Sequence, residues 1–289
     1  MPLLVAADHN VTGVARSDAK ALSLRLQGAK PITLDLFDKP AVAAAVTGHD
    51  VVINMATHIP TGAKAMLPGA FNENNRIRRE ASANLGEAAS AAGASRFIQE
   101  SFAPVYPDRG DEWIDETVPI EPARYVESVR AAESAAHEFT KRGGTGVVLR
   151  FSFFYDPGSA FTLDIIRLVR AGIAPVFGSA EGFMSSIWTD DAATAVVSAL
   201  DVKAGTYNVT DDQPVRRREA FDALAAALGV KRPKPLPQLV TTLSGSVGDT
   251  LGRSLRLSNA RFKSASGWKP HVRSVIQGWP LLVSKLEEA

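Results

Sequence analysis

Strand-like apolar runs alternate with helix-spaced segments along this 289-residue chain, and that alternation constrains the fold more than any other feature. Strands separated by helices cannot be joined by tight hairpins; they cross over and lie parallel, with the helices covering the sheet. Val11–Arg16 (VTGVAR) has the β-branched content of a short buried strand. Helical spacing follows over Ser17–Gln27 and stops at Gly28, a residue that closes helices. PITLDLF (31–37) reads as the next strand and Pro40–Val46 as a short helix ended by Gly48. DVVINMA (Asp50–Ala56) is a strongly apolar strand, and Asn72–Ala92 is a long alanine-rich helix before Gly93. SRFIQES (95–101), a helix over about Pro122–Arg142, and GTGVVLRFSFFY (144–155) complete a first α/β unit. Beyond it the pattern loosens. A helix, the strand SSIWT (185–189), the helix Asp190–Leu200, the strand GTYNVT (205–210) and the helix Arg216–Leu228 follow. A Pro-rich connection, VKRPKPLPQ (230–238), precedes a mixed C-terminal part. The expected organisation is a domain over 1–155 and a smaller α/β lobe over 156–289, interleaved with it.

Composition removes several function classes. Lys+Arg of 32 against Asp+Glu of 31 leaves no basic surplus, so nucleic acid is not an expected partner. The cluster Arg216-Arg217-Arg218 opens a helix and reads as a solvated face. With no cysteine, disulfides, thiol catalysis and Cys-based zinc sites are excluded. No apolar stretch approaches the roughly 18 residues of a membrane span. MPLLVAADHN lacks the basic region and cleavage site of a signal peptide, so no membrane association and a cytoplasmic location are expected. No HExxH or paired ligand set predicts a metal, and no GxSxG elbow supports a hydrolase.

The ordered motifs resemble the extended short-chain dehydrogenase/reductases of the NAD(P)-dependent epimerase/dehydratase kind. DVVINMATH is similar to that family's fourth strand, an apolar run ending in Ala at the cofactor ribose. NLGEAASAAGASRFIQESFAPVYPD resembles its alanine-rich helix, Gly, Arg-Phe, strand, Ser and Val-Tyr block. PARYVESVRAAE resembles the helix that carries the catalytic tyrosine, and VVLRFSFFYDPGS the strand and turn written Leu-Arg…Tyr-Gly-Pro-Gly. SSIWTDDAATAVVSAL and GTYNVTDDQPV resemble two segments of the C-terminal lobe. Together these cover almost the whole chain. The resemblance implies a Rossmann-like, doubly wound parallel sheet whose first domain binds a dinucleotide and whose lobe holds substrate.

One family feature is missing from the written sequence. Members begin with a strand followed by Gly-x-x-Gly-x-x-Gly, which lets backbone N–H groups and a helix N-terminus approach the pyrophosphate. PLLVAADHNVTGV instead resembles the last turns of the first helix and the strand after it. About 20 further residues would complete that βαβ unit. In the doubly wound order the absent first strand lies centrally, between VTGVAR and DVVINMA. Two readings are open: a start placed inside a longer frame, or a truncated gene whose product binds no dinucleotide. Cofactor binding by the usual route is expected only under the first.

The resemblance also assigns site residues. Family enzymes pair a Tyr with a Lys four residues later and with a Ser or Thr; the Tyr moves a proton, and the Lys holds the ribose and lowers the Tyr pKa. Tyr125 matches the tyrosine, but Val129 stands at the lysine position and Phe102 at the hydroxyl position. Ser101 is the neighbouring hydroxyl, on the other side of an extended strand. Tyr125 and Ser101 are therefore the candidate catalytic residues. Arg130 lies about 100° around the helix from Val129 and substitutes poorly for the lysine. Arg16 and Ser17, after the strand where NAD-selective members carry an acidic residue, suit a 2′-phosphate, and make NADP the expected cofactor over NAD. Asp35 and Leu36 match the adenine contacts, Ala56 the ribose side, and Tyr125 the nicotinamide side. Each has a plainer reading: Arg16 as an exposed strand end, Asp35 as a helix cap, Tyr125 as a residue packed on the sheet. His58 would line the mouth of the site or serve structure alone. Phe102, Trp113, Phe153 and Tyr155 form either an apolar substrate wall or core. Two functions from different classes follow: an NAD(P)-dependent oxidoreductase acting on a small carbonyl or hydroxyl substrate, or a catalytically silent protein that senses NADP(H) or binds a partner. The helices after the fourth and fifth strands are a common dimer surface in such enzymes, which leaves a homodimer open.

Overall fold

Val51–Asn54 (β3), Arg96–Phe102 (β4) and Thr145–Phe151 (β6) pair in parallel, and Gly205–Val209 (β11) adds beside β6, giving the order β11-β6-β4-β3. This four-stranded sheet is the centre of the computed structural model, which describes residues 1–60, 62–236 and 244–288. The end of the Pro-rich connection, from 237, lies outside the described residues. Side chains alternate across the strands with period two. Phe97 and Val148 face one side, beneath Lys39–Val46 (α3), Ser82–Ala91 (α5) and Val129–Lys141 (α6). Ile98, Val147, Leu149 and Phe151 face the other, beneath Thr189–Ser198 (α8) and Phe262. The chain is thus an α/β fold with helices on both faces of a parallel sheet, as the alternation required.

Thr12–Val14 (β1) and Lys30–Ile32 (β2) form a separate parallel ladder. A hydrogen bond between His49 and the Thr12 hydroxyl, 3.0 Å long, ties it to the turn before β3. Ser17 caps Asp18–Leu26 (α2) by accepting from Lys20 N, and Gly28 follows in the left-handed region (φ 81°), as its place after the helix predicted.

A second core gathers around Trp279, Tyr155, Trp188 and Leu224, with the Trp279 indole N–H donating to Ala220 O at 2.9 Å. Phe153–Tyr155 (β7) pairs with Ser186–Trp188 (β10), while β11, late in the sequence, joins the main sheet. The segment 144–155 is therefore two strands that part at Ser152, and not the single strand its composition suggested. Two other expectations need correction. The helix over 72–92 is interrupted: Asn72–Arg76 (α4) passes through a π turn, Ile77–Ala81, before α5. The arginine cluster is not a uniformly solvated face, because Arg217 is buried and donates to the Ser179 and Arg253 carbonyls. Burial pushes its pKa down to about 10. Among the described residues no helix is long and apolar enough to cross a membrane.

Candidate active site

In parallel sheets the ligand crevice lies at the carboxyl ends of the strands. Every site residue expected from the sequence follows, or closes, such a strand end or stands in the segment that leads into α6. Arg16 comes two residues after β1; it is exposed and has no ion pair or hydrogen bond among the described residues. Ser17 begins α2 beside it. Asp35 is exposed and folds its carboxylate back onto Phe37 N at 2.9 Å. Leu36 is half-buried, its carbonyl accepting from Asn84 at 2.9 Å. Ala56 N donates to Asn54 Oδ1, and His58, exposed, donates its backbone N–H to Asn74 Oδ1.

Tyr125 lies in a short 3-10 turn, Arg124–Val126, ahead of α6. Its ring meets Phe71 edge to face, centroids 4.6 Å apart. Burial raises its pKa; the Thr250 side chain and the guanidinium charges of Arg253 and Arg78 pull the other way. Four residues on, Val129 is 0 % exposed, so the apolar substitution lies in the helix–sheet core. Arg130 points away and donates to Ile120 O at 3.0 Å.

Ser101 is held apart from Tyr125 in its bonding. Its hydroxyl donates to Glu133 Oε1 at 2.6 Å, and the same carboxylate accepts Arg150 Nε and Nη2, each at 2.7 Å. Arg150 also donates to the Tyr106 hydroxyl at 2.6 Å, which donates to Asn208 Oδ1 at 2.9 Å. Burial works against the charge on Arg150, but Glu133 outweighs it and holds the group firmly protonated. Burial pushes Tyr106 up to about 12 despite Arg150. Close approach of α6 to β6 makes this network reachable, since a Cβ at Gly146 would overlap the Ala136 carbonyl. Where the family hydroxyl stands, Phe102 packs edge to face on Phe153 at 6.1 Å. Of the other aromatics, Tyr155 is buried in the core around Trp279, whereas Trp113 is 51 % exposed beneath the Arg256 guanidinium.

Two residues the sequence reasoning passed over lie at the same rim. Arg78, in the π turn, donates to Glu100 Oε1 at 2.9 Å, and the residues are 1 % and 7 % exposed. A charge inside an apolar parallel strand was the available signal for Glu100; Arg78 sat within a run, RIRRE, that reads as ordinary helix surface.

Residues 1–172 match a protein family described as NAD(P)H-binding. A 3-diazoavenalumate denitrifying reductase from a Streptomyces species is 30% identical over 279 residues, covering 92% of this chain and 90% of the relative. The fold is shared with solved structures. UDP-glucose 4-epimerase of Thermotoga maritima superposes with a TM-score of 0.78 at 21% identity, over 99% of this chain and 93% of that one. A human epimerase family protein with NADPH gives a TM-score of 0.80 at 20% identity, over 98% and 94%. A dTDP-glucose 4,6-dehydratase from Streptomyces venezuelae with NAD gives 0.78 at 19%, over 99% and 91%.

Proposed function

The chain belongs to the NAD(P)H-binding family, and on that footing we propose that it is a reductase that delivers one hydride and one proton to a small acceptor of the diazo class, with Tyr125 as its single proton-holding group. The observation that carries this reading is the pair Val129 and Phe102. An apolar, fully buried side chain replaces the lysine, and a phenyl ring replaces the hydroxyl that orients a carbonyl oxygen. Ketone reduction relies on that pair to stabilise the developing alkoxide and move its proton. A diazo carbon makes no alkoxide.

Given the longer N-terminus that the usual route of cofactor binding requires, the residues present fit a dinucleotide at its adenosine end: an unpaired, exposed guanidinium on Arg16 beside the Ser17 hydroxyl suits a 2′-phosphate, which favours NADP over NAD. Asp35 and Leu36 would border the adenine, Ala56 and Tyr125 the nicotinamide side. When bound, the reduced nicotinamide supplies hydride, and the reaction balances as a neutral diazo compound plus hydride plus proton giving dinitrogen and the product with two added hydrogens, the hydride-derived one on the carbon that loses nitrogen. Tyr125 holds the proton at its phenolic oxygen. Phe102 and Phe153 offer an apolar wall that keeps water from the acceptor. Ser101, engaged with Glu133, acts on the site only by fixing the strand.

The 30% identical relative supports the diazo class, because its name states a reductase that removes nitrogen from a diazo compound. The departures at 102 and 129 also favour a second reading, a silent NADP(H) sensor. An assay with NADPH and a small diazo carboxylate separates the two. The reductase consumes NADPH and releases dinitrogen one for one; a sensor binds NADPH and releases none.

A further inference from the structure

Two buried ion pairs flank the sheet, and they are built differently. Arg150 meets Glu133 through both Nε and Nη2, so the pair is closed and each oxygen is used. Arg78 meets Glu100 through Nη2 alone, and the buried Arg78 Nε and Glu100 Oε2 have no partner among the described residues. A guanidinium so deeply buried is normally retained only where every donor is satisfied. Arg78 also occupies a π turn, an irregularity that recurs at functional sites.

Its surroundings identify what it acts on. Phe71 and Asn75, one turn apart, lie on one side of the helix, and Arg78 follows in the π turn. Phe71 touches the Tyr125 ring, and Asn75 Oδ1 accepts from the Ser128 hydroxyl at 2.6 Å, so this side faces the segment that enters α6. From the lobe, the helix Gly245–Gly252 packs against the turn that carries Tyr125. Arg253 follows, fixed by donating to Tyr106 O at 2.9 Å and Glu121 O at 2.7 Å. The helix that carries Phe71 and leads to Arg78, and the helix that ends before Arg253, thus both reach the Tyr125 segment.

We propose that Arg78 and Arg253 together supply the positive charge that Val129 cannot, as positioning residues that ease proton release from Tyr125. Glu100 holds Arg78 in place without closing it off. The field of both arginines reaches the phenol and favours its ionised form, against the burial that opposes it. A charge delivered from two separate elements also makes the site depend on the lobe being seated over the sheet. This inference rests on Tyr125 as the proton-holding group, and its test is independent of turnover.

The test is the ionisation of Tyr125 followed by carbon-13 NMR of Cζ-labelled tyrosine; the chain has 4 tyrosines, and Tyr125→Phe identifies the resonance. The groups to vary are Arg78 with Glu100, so that no charge is stranded, and Arg253. In Arg78→Met/Glu100→Met and in Arg253→Gln, the Tyr125 midpoint is expected to rise by about one pH unit, a tenfold smaller phenolate fraction at fixed pH. Arg78→Lys, which keeps the charge, should stay close to the parent. Circular dichroism checks folding; if the Arg78 double variant does not fold, Arg253→Gln decides. An unmoved midpoint in either folded charge-removing variant overturns the proposal. A moved midpoint together with undiminished turnover in Tyr125→Phe would leave it standing and defeat the proposed function instead.

Discussion

Glu133→Ala tests the physical reasoning most severely on the stability side. The Glu133 carboxylate accepts three hydrogen bonds, one from Ser101 and two from Arg150, and both it and Arg150 are buried. Removing it leaves a desolvated guanidinium with only the Tyr106 hydroxyl, and strands the Ser101 donor. Breaking one partner of such a pair is destabilising by about 3–5 kcal/mol. At about 2–4 °C per kcal/mol for a chain of this size, the thermal midpoint should fall by roughly 6–20 °C. Thermal unfolding followed by circular dichroism measures it, with Glu138→Ala as control. Glu138 pairs with Lys141 on the exposed face of the same helix, and its loss should hardly move the midpoint. Replacing both partners by apolar residues, Glu133→Leu with Arg150→Met, should recover much of the loss, because no charge then remains buried. If Glu133→Ala falls no further than the Glu138 control, the claim that this network is a desolvated, satisfied pair is wrong.

Other outcomes follow from the same structure. Tyr125→Phe should lower the reduction rate about 100-fold or more, as loss of a general acid does, while NADPH affinity measured by fluorescence titration stays near the parent value. Arg16→Ala should weaken NADPH about tenfold and leave NADH nearly untouched, since the lost contact is a charge-assisted one to phosphate; equal effects on both would contradict its assignment. Asp211 is buried with an unpartnered Oδ1, and burial raises its pKa well above the usual carboxylate range. The folded state therefore binds the proton more tightly than the unfolded one, and stability falls as pH rises from about 4 upward through the folded value. Asp211→Asn, which keeps an acceptor oxygen, should remove that slope and raise the thermal midpoint at neutral pH; an unchanged slope would contradict the burial argument.

How much of this was legible in the sequence depends on the range of the interaction. Parallel strands, the Ser17 cap and the Gly28 turn rest on local periodicity and backbone sterics, so a few residues are enough to read them. PITLDLF shows where locality stops. Its apolar residues suggested a full strand, but only Lys30–Ile32 pairs, because β2 has a partner on one side alone and Asp35 and Asp38 turn the chain toward α3. The break at Ser152 comes from two separate partners, β11 and β10, competing for one stretch of chain. The π turn at 77–81 has no local signature. In the site, Val129 and Phe102 were visible as departures from a motif. Their counterparts Arg78, Glu100, Thr250 and Arg253 come together only through packing across distant segments, and no spacing rule connects them.

The most direct test of the central claim is where the hydrogen goes. NADPH deuterated at the transferable position of C4 is incubated with a diazo substrate in ordinary water, and the product is read by mass spectrometry. One deuterium is expected at the carbon that lost nitrogen, with formation slowed in Tyr125→Phe. A product without deuterium, or NADPH bound and never consumed, would mean that this chain transfers no hydride.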